Sequence, residues 1–225
     1  MSFNIAIDGP AGAGKSTIAK KVAKELSFIY VDTGAMYRAI ALHLLRNGIS
    51  PDDEERLTEA CRQITVSIEY QNGEQQVILN GENVTGEIRT EEVGNMASAA
   101  SAKPCVRQAL LSIQSDLAAK ADVLMDGRDI GTNILPDAQL KIYLTASTET
   151  RARRRFLELR EKGEACDLAS IERDIEERDR RDMTRQIAPL CQAKDAILVD
   201  SSDMSIDEVA ACIISLYHDA RVKRS

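Results

Sequence analysis

The chain has 225 residues, of which 29% are charged and 44% hydrophobic, and its formal net charge is −7. This is the composition of an ordinary globular protein rather than a disordered one, and the length suffices for one domain with a substantial core. The negative charge argues against a general nucleic-acid or membrane-surface binder. No apolar run approaches the ~20 residues that span a bilayer, and the first residues lack the pattern of a secretion signal. We therefore expect a cytoplasmic protein that binds neither nucleic acid nor membrane.

The cysteines are five in number and widely scattered, and none of them forms a C-x-x-C pair: Cys61, Cys105, Cys166, Cys191 and Cys212. The two histidines, His43 and His218, lie far from any plausible group of metal ligands in the sequence. This pattern predicts free thiols in a reducing compartment rather than a zinc site or a disulfide framework.

A Gly-rich turn near the beginning of the chain joins an apolar run to a helical pattern. Residues 9–16 match the phosphate-binding pattern of Gly, any four residues, Gly, Lys and then Ser or Thr. The glycines allow close backbone approaches, so N–H groups can converge on an anion at the start of the following helix. Lys15 can reach the β- and γ-phosphates, and the Ser16 hydroxyl can bind Mg²⁺. A plain strand-to-helix turn is the alternative, which the strand before and the helix after disfavour.

The rest of the chain alternates between strand-like and helix-like patterns. One exception is the segment 63–85, where apolar and polar residues alternate over 64–70 and two Asn-Gly turns flank residues 76–79. It predicts a small three-stranded antiparallel meander. The remaining predicted elements are helices at 15–26, 34–47, 52–62, 87–101, 105–119, 148–162 and 168–185, a capped final helix from Ser205, and strands at 28–31, 123–125, 140–144 and 196–200.

Strand–helix alternation behind a phosphate-binding loop predicts an α/β fold: a parallel sheet covered by helices on both faces. Ligands of such sheets bind beyond the carboxyl ends of the strands. Asp8, Asp32 and Asp126 lie at predicted strand ends, and we expect them to converge on one crevice. Asp200 is also at a strand end, but a turn residue is at least as good an interpretation.

The segment from Asp32 to Arg38 places a hydroxyl, Thr33, and a guanidinium, Arg38, across a helix start. Thr33 can serve simply as a helix N-cap, and Arg38 as a solvated helix residue. Their place beside a phosphate loop favours a second anion site.

The segment Asp126-Gly127-Arg128-Asp129 follows a buried strand. Asp126 can hold Mg²⁺ through water beside a triphosphate. Arg128 is permanently charged and can bind phosphate in a bidentate manner. Asp129 would repel a phosphate, but a carboxylate can accept a hydrogen bond from the N4 amino group of cytosine. A surface turn closed by an Arg128–Asp129 pair is the alternative.

Residues 151–185 contain eleven basic side chains, ten of them Arg, and ten acidic ones. Solvated helices with i,i+4 ion pairs are the simple interpretation. The preference for Arg over Lys instead favours phosphate recognition. The spacing predicts Arg178, Arg181 and Arg185 on one helix face, with Asp182 beside them. Such an inventory suits phosphoryl transfer, in which a closing lid positions reactants and excludes water.

Together these motifs resemble the bacterial cytidylate kinases, which are nucleoside monophosphate kinases with a P-loop kinase fold. The resemblance covers essentially the whole chain, including Gly86-Glu87-Ile88-Arg89 and residues 126–131. It implies transfer of a phosphoryl group from ATP to CMP or dCMP with Mg²⁺, in a monomer. It also implies a single domain over 1–225, with the 63–85 meander inserted in the monophosphate-binding subdomain and a helical lid over 148–185.

The resemblance assigns roles to individual residues. It implies that ATP is bound by Gly9, Pro10, Ala11, Gly12, Ala13, Gly14, Lys15, Ser16 and Thr17. It implies that the acceptor phosphate is bound by Thr33, Arg38, Arg128 and Arg185, that Ser98, Arg107, Asp129 and Arg178 frame the cytosine, and that Asp182 contacts the ribose. Lys15, Arg128 and Arg185 are the expected catalytic cations, with Mg²⁺ held by Ser16 and, through water, by Asp126.

Two other functions use the same loop. A kinase for another acceptor, such as shikimate or dephospho-coenzyme A, would share the loop and the sheet, but the meander and Asp129 argue against it. A regulatory nucleotide switch would need a guanine-reading Asn/Thr-Lys-X-Asp motif, which the sequence lacks.

Overall fold

The computed structural model describes residues 2–222. Its strands are β1 (Asn4–Asp8), β2 (Ile29–Asp32), β3 (Val66–Gln71), β4 (Glu74–Leu79), β5 (Glu82–Asn83), β6 (Val123–Gly127), β7 (Leu140–Thr145) and β8 (Ile197–Asp200). Its helices are α1 (Lys15–Leu26), α2 (Thr33–Arg46), α3 (Glu54–Gln63), α4 (Glu91–Ala100), α5 (Pro104–Lys120), α6 (Thr148–Glu161), α7 (Leu168–Thr184) and α8 (Ile206–Val222). A π-helical turn spans Ile130–Ile134.

The described chain divides into two compact units. The first comprises the residues up to Tyr30 and those from Ala121 onward, and the second comprises Val31–Lys120. The boundary falls within β2.

The main sheet has the strand order β2-β6-β1-β7-β8. The pairs β1–β6, β1–β7 and β7–β8 are parallel, and the backbone N–H of Ile29 in β2 donates to Asp122 O at 2.9 Å. In this register Asp8 lies opposite Gly127 of β6 and Tyr143 of β7, so the carboxyl ends of these strands meet at one edge. The predicted fold class, a P-loop kinase-type parallel sheet flanked by helices, is confirmed.

The core of the first unit lies where α1 and α8 pack together beside the sheet. Alternate β1 residues and the helical faces supply fully buried aliphatic side chains, each contributing about 1.5–3 kcal/mol by its removal from water. At the edge of this core, Phe3 and Tyr217 meet edge to face with ring centroids 5.0 Å apart. The central members of the cluster are Ile5, Ile7, Ile18, Val22, Leu124, Ile142, Leu144, Val209 and Ile213.

The second unit carries the antiparallel sheet that the alternating pattern predicts, with strand order β3-β4-β5. Its two turns are built on Asn-Gly pairs. Asn72 and Asn80 have φ of 54° and 50°, a left-handed conformation that Asn tolerates better than most residues. The small antiparallel insertion in the predicted fold is therefore confirmed.

Several helix boundaries follow from side-chain caps. Asp32, not Thr33, caps α2, because its carboxylate accepts a hydrogen bond from the N–H of Ala35 at 2.9 Å. Thr90 caps α4, which therefore begins a few residues later than the pattern predicts. The predicted capping box of α8 is confirmed, since Ser205 Oγ accepts from Glu208 N and Ser205 N donates to the Glu208 carboxylate. Asp200 is a turn residue that accepts hydrogen bonds from Ser202.

The described cysteines are free thiols. The thiols of Cys61 and Cys105 are hydrogen-bonded to each other, and burial raises the pKa of the Cys61 thiol to about 12.

Within residues 2–222, no helix is both long enough and apolar enough to cross a bilayer.

Candidate active site

The Gly-rich loop lies between β1 and α1. Gly9, Gly12 and Gly14 have φ of 151°, 75° and 80°, values that other residues rarely adopt. Gly9 is also required by space, because a Cβ there would lie 1.9 Å from the carbonyl oxygen of Leu144. The loop therefore has the left-handed backbone positions that the motif predicts at its glycines.

Lys15 and Ser16 open α1. The buried Lys15 ammonium folds back over the loop and donates to the carbonyl oxygens of Gly9 and Pro10, both at 2.7 Å. Ser16 Oγ donates to Asp126 Oδ2 at 2.8 Å. The hydroxyl of Tyr30, which is not among the predicted site residues, donates to Asp126 Oδ1 at 3.1 Å. The predicted proximity of Ser16 and Asp126 is thus present.

The charge state of Lys15 responds to its surroundings. Burial and, after it, the neighbouring Arg128 lower the pKa of Lys15 to about 7, against the opposing effect of Asp126, Asp8 and Asp182. A buried amine crowded by a guanidinium is stabilised by an anion.

Ser16 and Asp126 are the residues that the sequence predicts as ligands of Mg²⁺, and their arrangement can be compared with what this ion requires. Within residues 2–222 there is no group of three or more His, Cys, Asp or Glu side chains arranged as metal ligands. Mg²⁺, however, keeps most of its waters and binds through one or two carboxylates plus phosphate oxygens. A hydroxyl and a carboxylate held 2.8 Å apart beside the loop fit that requirement.

The segment Arg128-Asp129 faces the end of α7. Arg128 Nε donates to Asp182 Oδ2 at 2.9 Å, and an Arg185 guanidinium nitrogen lies 3.6 Å from Asp129 Oδ1. Asp129 and Asp182 are nearly inaccessible to solvent. Burial alone would raise the pKa of Asp182, but Arg128, Arg185 and Arg178 hold it below its usual value. Asp129 and Asp182 therefore lie buried against Arg185 and Arg128, respectively, rather than in a surface turn closed by an Arg128–Asp129 pair.

The predicted face of three arginines is only partly present. Arg178 is partly buried near Arg128 and Asp182, and burial lowers its pKa. Arg181 is exposed and donates to Glu177 O of its own helix at 3.3 Å. The placement of Arg185 on the helix face was wrong, because α7 ends at Thr184 and Arg185 has an extended backbone. The Arg185 Nε donates instead to Ala188 O, in the segment that follows the helix, at 2.7 Å.

Two residues of α6 and α7 that the sequence analysis did not single out contact the Gly-rich loop. Arg151 of α6 donates to Ala11 O at 2.9 Å, and Asp179 of α7 accepts from Ala11 N at 3.4 Å. Arg151 and Asp179 also form an ion pair at 2.7 Å. The only sequence signal was the excess of Arg over Lys, which does not distinguish Arg151 from its exposed neighbours.

In the second unit, Thr33 and Arg38 lie on α2 as predicted. Thr33 is buried in the first turn of the helix. Arg38 donates to the carbonyl oxygens of Ile88 at 3.1 Å and Thr90 at 3.3 Å, which places its guanidinium at the segment leading into α4. Arg89 of the same segment pairs with Asp32 at 2.5 Å.

Ser98 and Arg107 lie close together through Ser101. Arg107 donates to Ser101 O at 3.4 Å, and Ser101 Oγ donates to Ser98 O at 3.0 Å. The Arg107 guanidinium also stands over the ring of Tyr37 at 5.8 Å from its centroid. The Ser98 backbone, at the end of α4, and the Arg107 side chain, on α5, thus both contact Ser101.

Comparisons with known proteins identify the family to which the chain belongs. The family model for cytidylate kinase matches residues 5–219. The chain is 50% identical over 216 residues to a cytidylate kinase of Caldicellulosiruptor bescii, covering 96% of each chain, and 49% identical over 218 residues to that of Desulfitobacterium hafniense, covering 97% of this chain and 94% of the other. A crystal structure of an uncharacterised protein from Eubacterium ventriosum shares the fold, with a TM-score of 0.53 at 14% identity over 97% of this chain and 99% of the other. The chain therefore belongs to the cytidylate kinase family of nucleoside monophosphate kinases.

Proposed function

We propose that this chain transfers the γ-phosphoryl group of ATP to CMP or dCMP, giving ADP and CDP or dCDP. The observation that carries the proposal is the buried Lys15 ammonium, whose pKa is lowered to about 7 by burial and by Arg128 beside the glycine loop. Relatives at about half identity over nearly the whole chain are named cytidylate kinase, which supports the choice of acceptor.

The donor side is the loop Gly9–Thr17. Its N–H groups and the start of α1 bind the phosphates of ATP, and Lys15 exchanges its two carbonyl partners for β- and γ-phosphate oxygens. Ser16 and, through water, Asp126 would hold Mg²⁺, which would neutralise charge that develops on the phosphate oxygens.

The acceptor side consists of the residues that the family resemblance implies. Thr33, Arg38, Arg128 and Arg185 bind the monophosphate, and Asp182 contacts the ribose. Asp129 accepts a hydrogen bond from the cytosine amino group, with Ser98, Arg107 and Arg178 around the base. Uracil has a carbonyl oxygen at the same position. The Asp129 carboxylate would then face another hydrogen-bond acceptor, and the hydrogen bond to the base would be lost.

An acceptor phosphate is already ionised at neutral pH and needs no strong general base. The enzyme's task is therefore positioning and charge stabilisation, with Lys15, Arg128 and Arg185 as the catalytic cations. The segment 148–185, containing α6 and α7, acts as a lid that excludes water and so suppresses ATP hydrolysis. We further propose a single functional domain over 1–225, with residues 63–85 belonging to the monophosphate-binding part, in a cytoplasmic monomer that binds no nucleic acid.

Product analysis tests the proposal. The protein is incubated with ATP, Mg²⁺ and CMP, and nucleotides are separated by chromatography. We expect CDP and ADP in equal amounts, and little ADP when CMP is omitted. ADP formation that is independent of CMP would instead indicate a nucleotide switch, and formation that requires shikimate or dephospho-coenzyme A would indicate a kinase for another acceptor.

A further inference from the structure

Asp8, the last residue of β1, has a buried carboxylate that the proposed reaction does not use. Only 5% of its surface is exposed. Each oxygen accepts one backbone hydrogen bond, Oδ1 from Ile130 N and Oδ2 from Gly131 N, both at 2.7 Å. Hydrogen bonds to an ionised acceptor at this length are among the strong ones in proteins.

The two N–H groups belong to the start of the π-helical turn Ile130–Ile134, directly after Asp129. The first N–H groups of a helical turn have no partner within it, so Asp8 caps this turn from a distant part of the chain. Asp8 is also directly followed by Gly9, the first residue of the phosphate loop. One side chain thus fixes the position of Arg128-Asp129 relative to the loop.

The packing around this contact leaves little freedom for the turn to shift. A Cβ added to Gly131 would lie 3.4 Å from Asp8 Oδ2 and 3.2 Å from Lys141 Cδ. Burial raises the pKa of Asp8 to about 6, although both backbone bonds lower it, and the nearby charge of Asp129 raises it as well. A buried carboxylate beside another carboxylate costs stability. The carboxylate nevertheless offers one acceptor oxygen to each of the two N–H groups, which a neutral amide cannot do.

We propose that Asp8 is a positioning residue for acceptor specificity: it holds the Arg128-Asp129 turn in register with the phosphate loop, so that Asp129 meets the amino group of cytosine. The inference deepens the proposed function and rests on it. Asp8 itself touches neither nucleotide. It acts through the backbone of the turn, and its loss should alter base selection more than use of ATP.

Asp8→Asn is the direct test, because the amide has the shape of the carboxylate but only one acceptor oxygen. Its NH₂ group must face one of the two backbone N–H groups, and the turn is pushed away. We expect KM for CMP to rise about tenfold or more, and the ratio of kcat/KM for CMP to that for UMP to fall at least tenfold, whereas KM for ATP changes less than about threefold.

Asp122→Asn provides a matched control. Its carboxylate also accepts a backbone hydrogen bond, from Phe3 N at 2.6 Å, but it precedes β6 at the opposite end of the strand from Asp126 and is exposed. We expect this variant to keep the wild-type CMP-to-UMP ratio. Gly131→Ala is a second perturbation of the same turn, which leaves the charge of Asp8 in place and should lower the ratio in the same direction.

The outcomes separate cleanly. A wild-type enzyme without preference for CMP contradicts the proposed function, whatever the variants do. A CMP-selective wild type with folded Asp8→Asn and Gly131→Ala proteins of unchanged CMP-to-UMP ratio overturns the role of Asp8. If Asp8→Asn does not fold, Gly131→Ala decides alone: a lowered ratio supports the proposal and an unchanged ratio overturns it.

Discussion

Arg151 and Asp179 form a buried ion pair at 2.7 Å, and the same two side chains bind the backbone oxygen and the backbone N–H of Ala11, respectively. The pair connects α6 and α7 with the phosphate loop. The side chains of Arg151 and Asp179 are only 5% and 12% exposed, so each needs the other to compensate its charge. The conformation of the loop is therefore tied to the two helices of the arginine-rich segment.

Arg151→Gln should strongly destabilise the protein, because it leaves the carboxylate of Asp179 buried without a cation. We expect the free energy of unfolding to fall by about 3–5 kcal/mol in urea titrations. Adding Asp179→Asn to this variant should restore part of the loss, since no buried charge then remains unpaired.

Arg153→Gln is the matched control on the same helix. Arg153 pairs with Glu149 at 3.4 Å, but their side chains are 68% and 74% exposed. Its replacement should cost less than about 1 kcal/mol. Equal costs for the Arg151 and Arg153 variants would show that the buried pair does not hold the loop.

Lys15→Ala should reduce turnover far more than it alters the fold. The ammonium stabilises charge that develops on the transferred phosphoryl group, and removal of one such donor costs about 10²–10³-fold in kcat. Far-UV circular dichroism should match that of the wild type. Near-normal turnover of this variant would refute the assignment of the donor site.

The free enzyme should become more stable relative to a Lys15→Met variant as pH rises above 7. The pKa of Lys15 is about 7 in the folded protein and 10.5 in its ordinary environment, so between these values the unfolded chain binds a proton that the folded chain does not. Stability then increases with pH, by at most about 1.4 kcal/mol per pH unit. Urea unfolding of both proteins at pH 7.5, 8.5 and 9.5 measures the difference. A difference that is constant or declines with pH would mean that Lys15 is not buried as described.

Asp126→Asn should raise the Mg²⁺ concentration needed for half-maximal activity. The carboxylate is the one charged group that we assign to the ion, and an amide is a weaker ligand and a weaker acceptor for the water between them. Titration of kcat with Mg²⁺ at saturating nucleotides should show a shift of about tenfold or more. Asp200→Asn, in a surface turn, should leave the Mg²⁺ dependence unchanged.

The fold and the candidate site residues could be predicted from the sequence because the signals for them are local. The glycine pattern, the Asn-Gly turns and the Ser205–Glu208 capping box each lie within a few residues of one another. Side-chain direction beyond a helix end is not local, which is why the position of Arg185 was wrong. Arg151 and Asp179 form an ion pair although they are 28 residues apart in sequence and lie on two different helices. No spacing rule distinguishes this pair from the exposed ion pairs around it.

Above all, we expect the chain to select cytidine and deoxycytidine monophosphates as acceptors. The most direct measurement is kcat/KM in an assay coupled to ADP formation, with CMP, dCMP, UMP and AMP compared at fixed ATP and Mg²⁺. A mismatched polar group in a site built for hydrogen bonding is rejected by about 10⁴-fold when water is excluded, so CMP and dCMP should exceed UMP and AMP by a large factor. A kcat/KM for UMP equal to or above that for CMP would contradict the account.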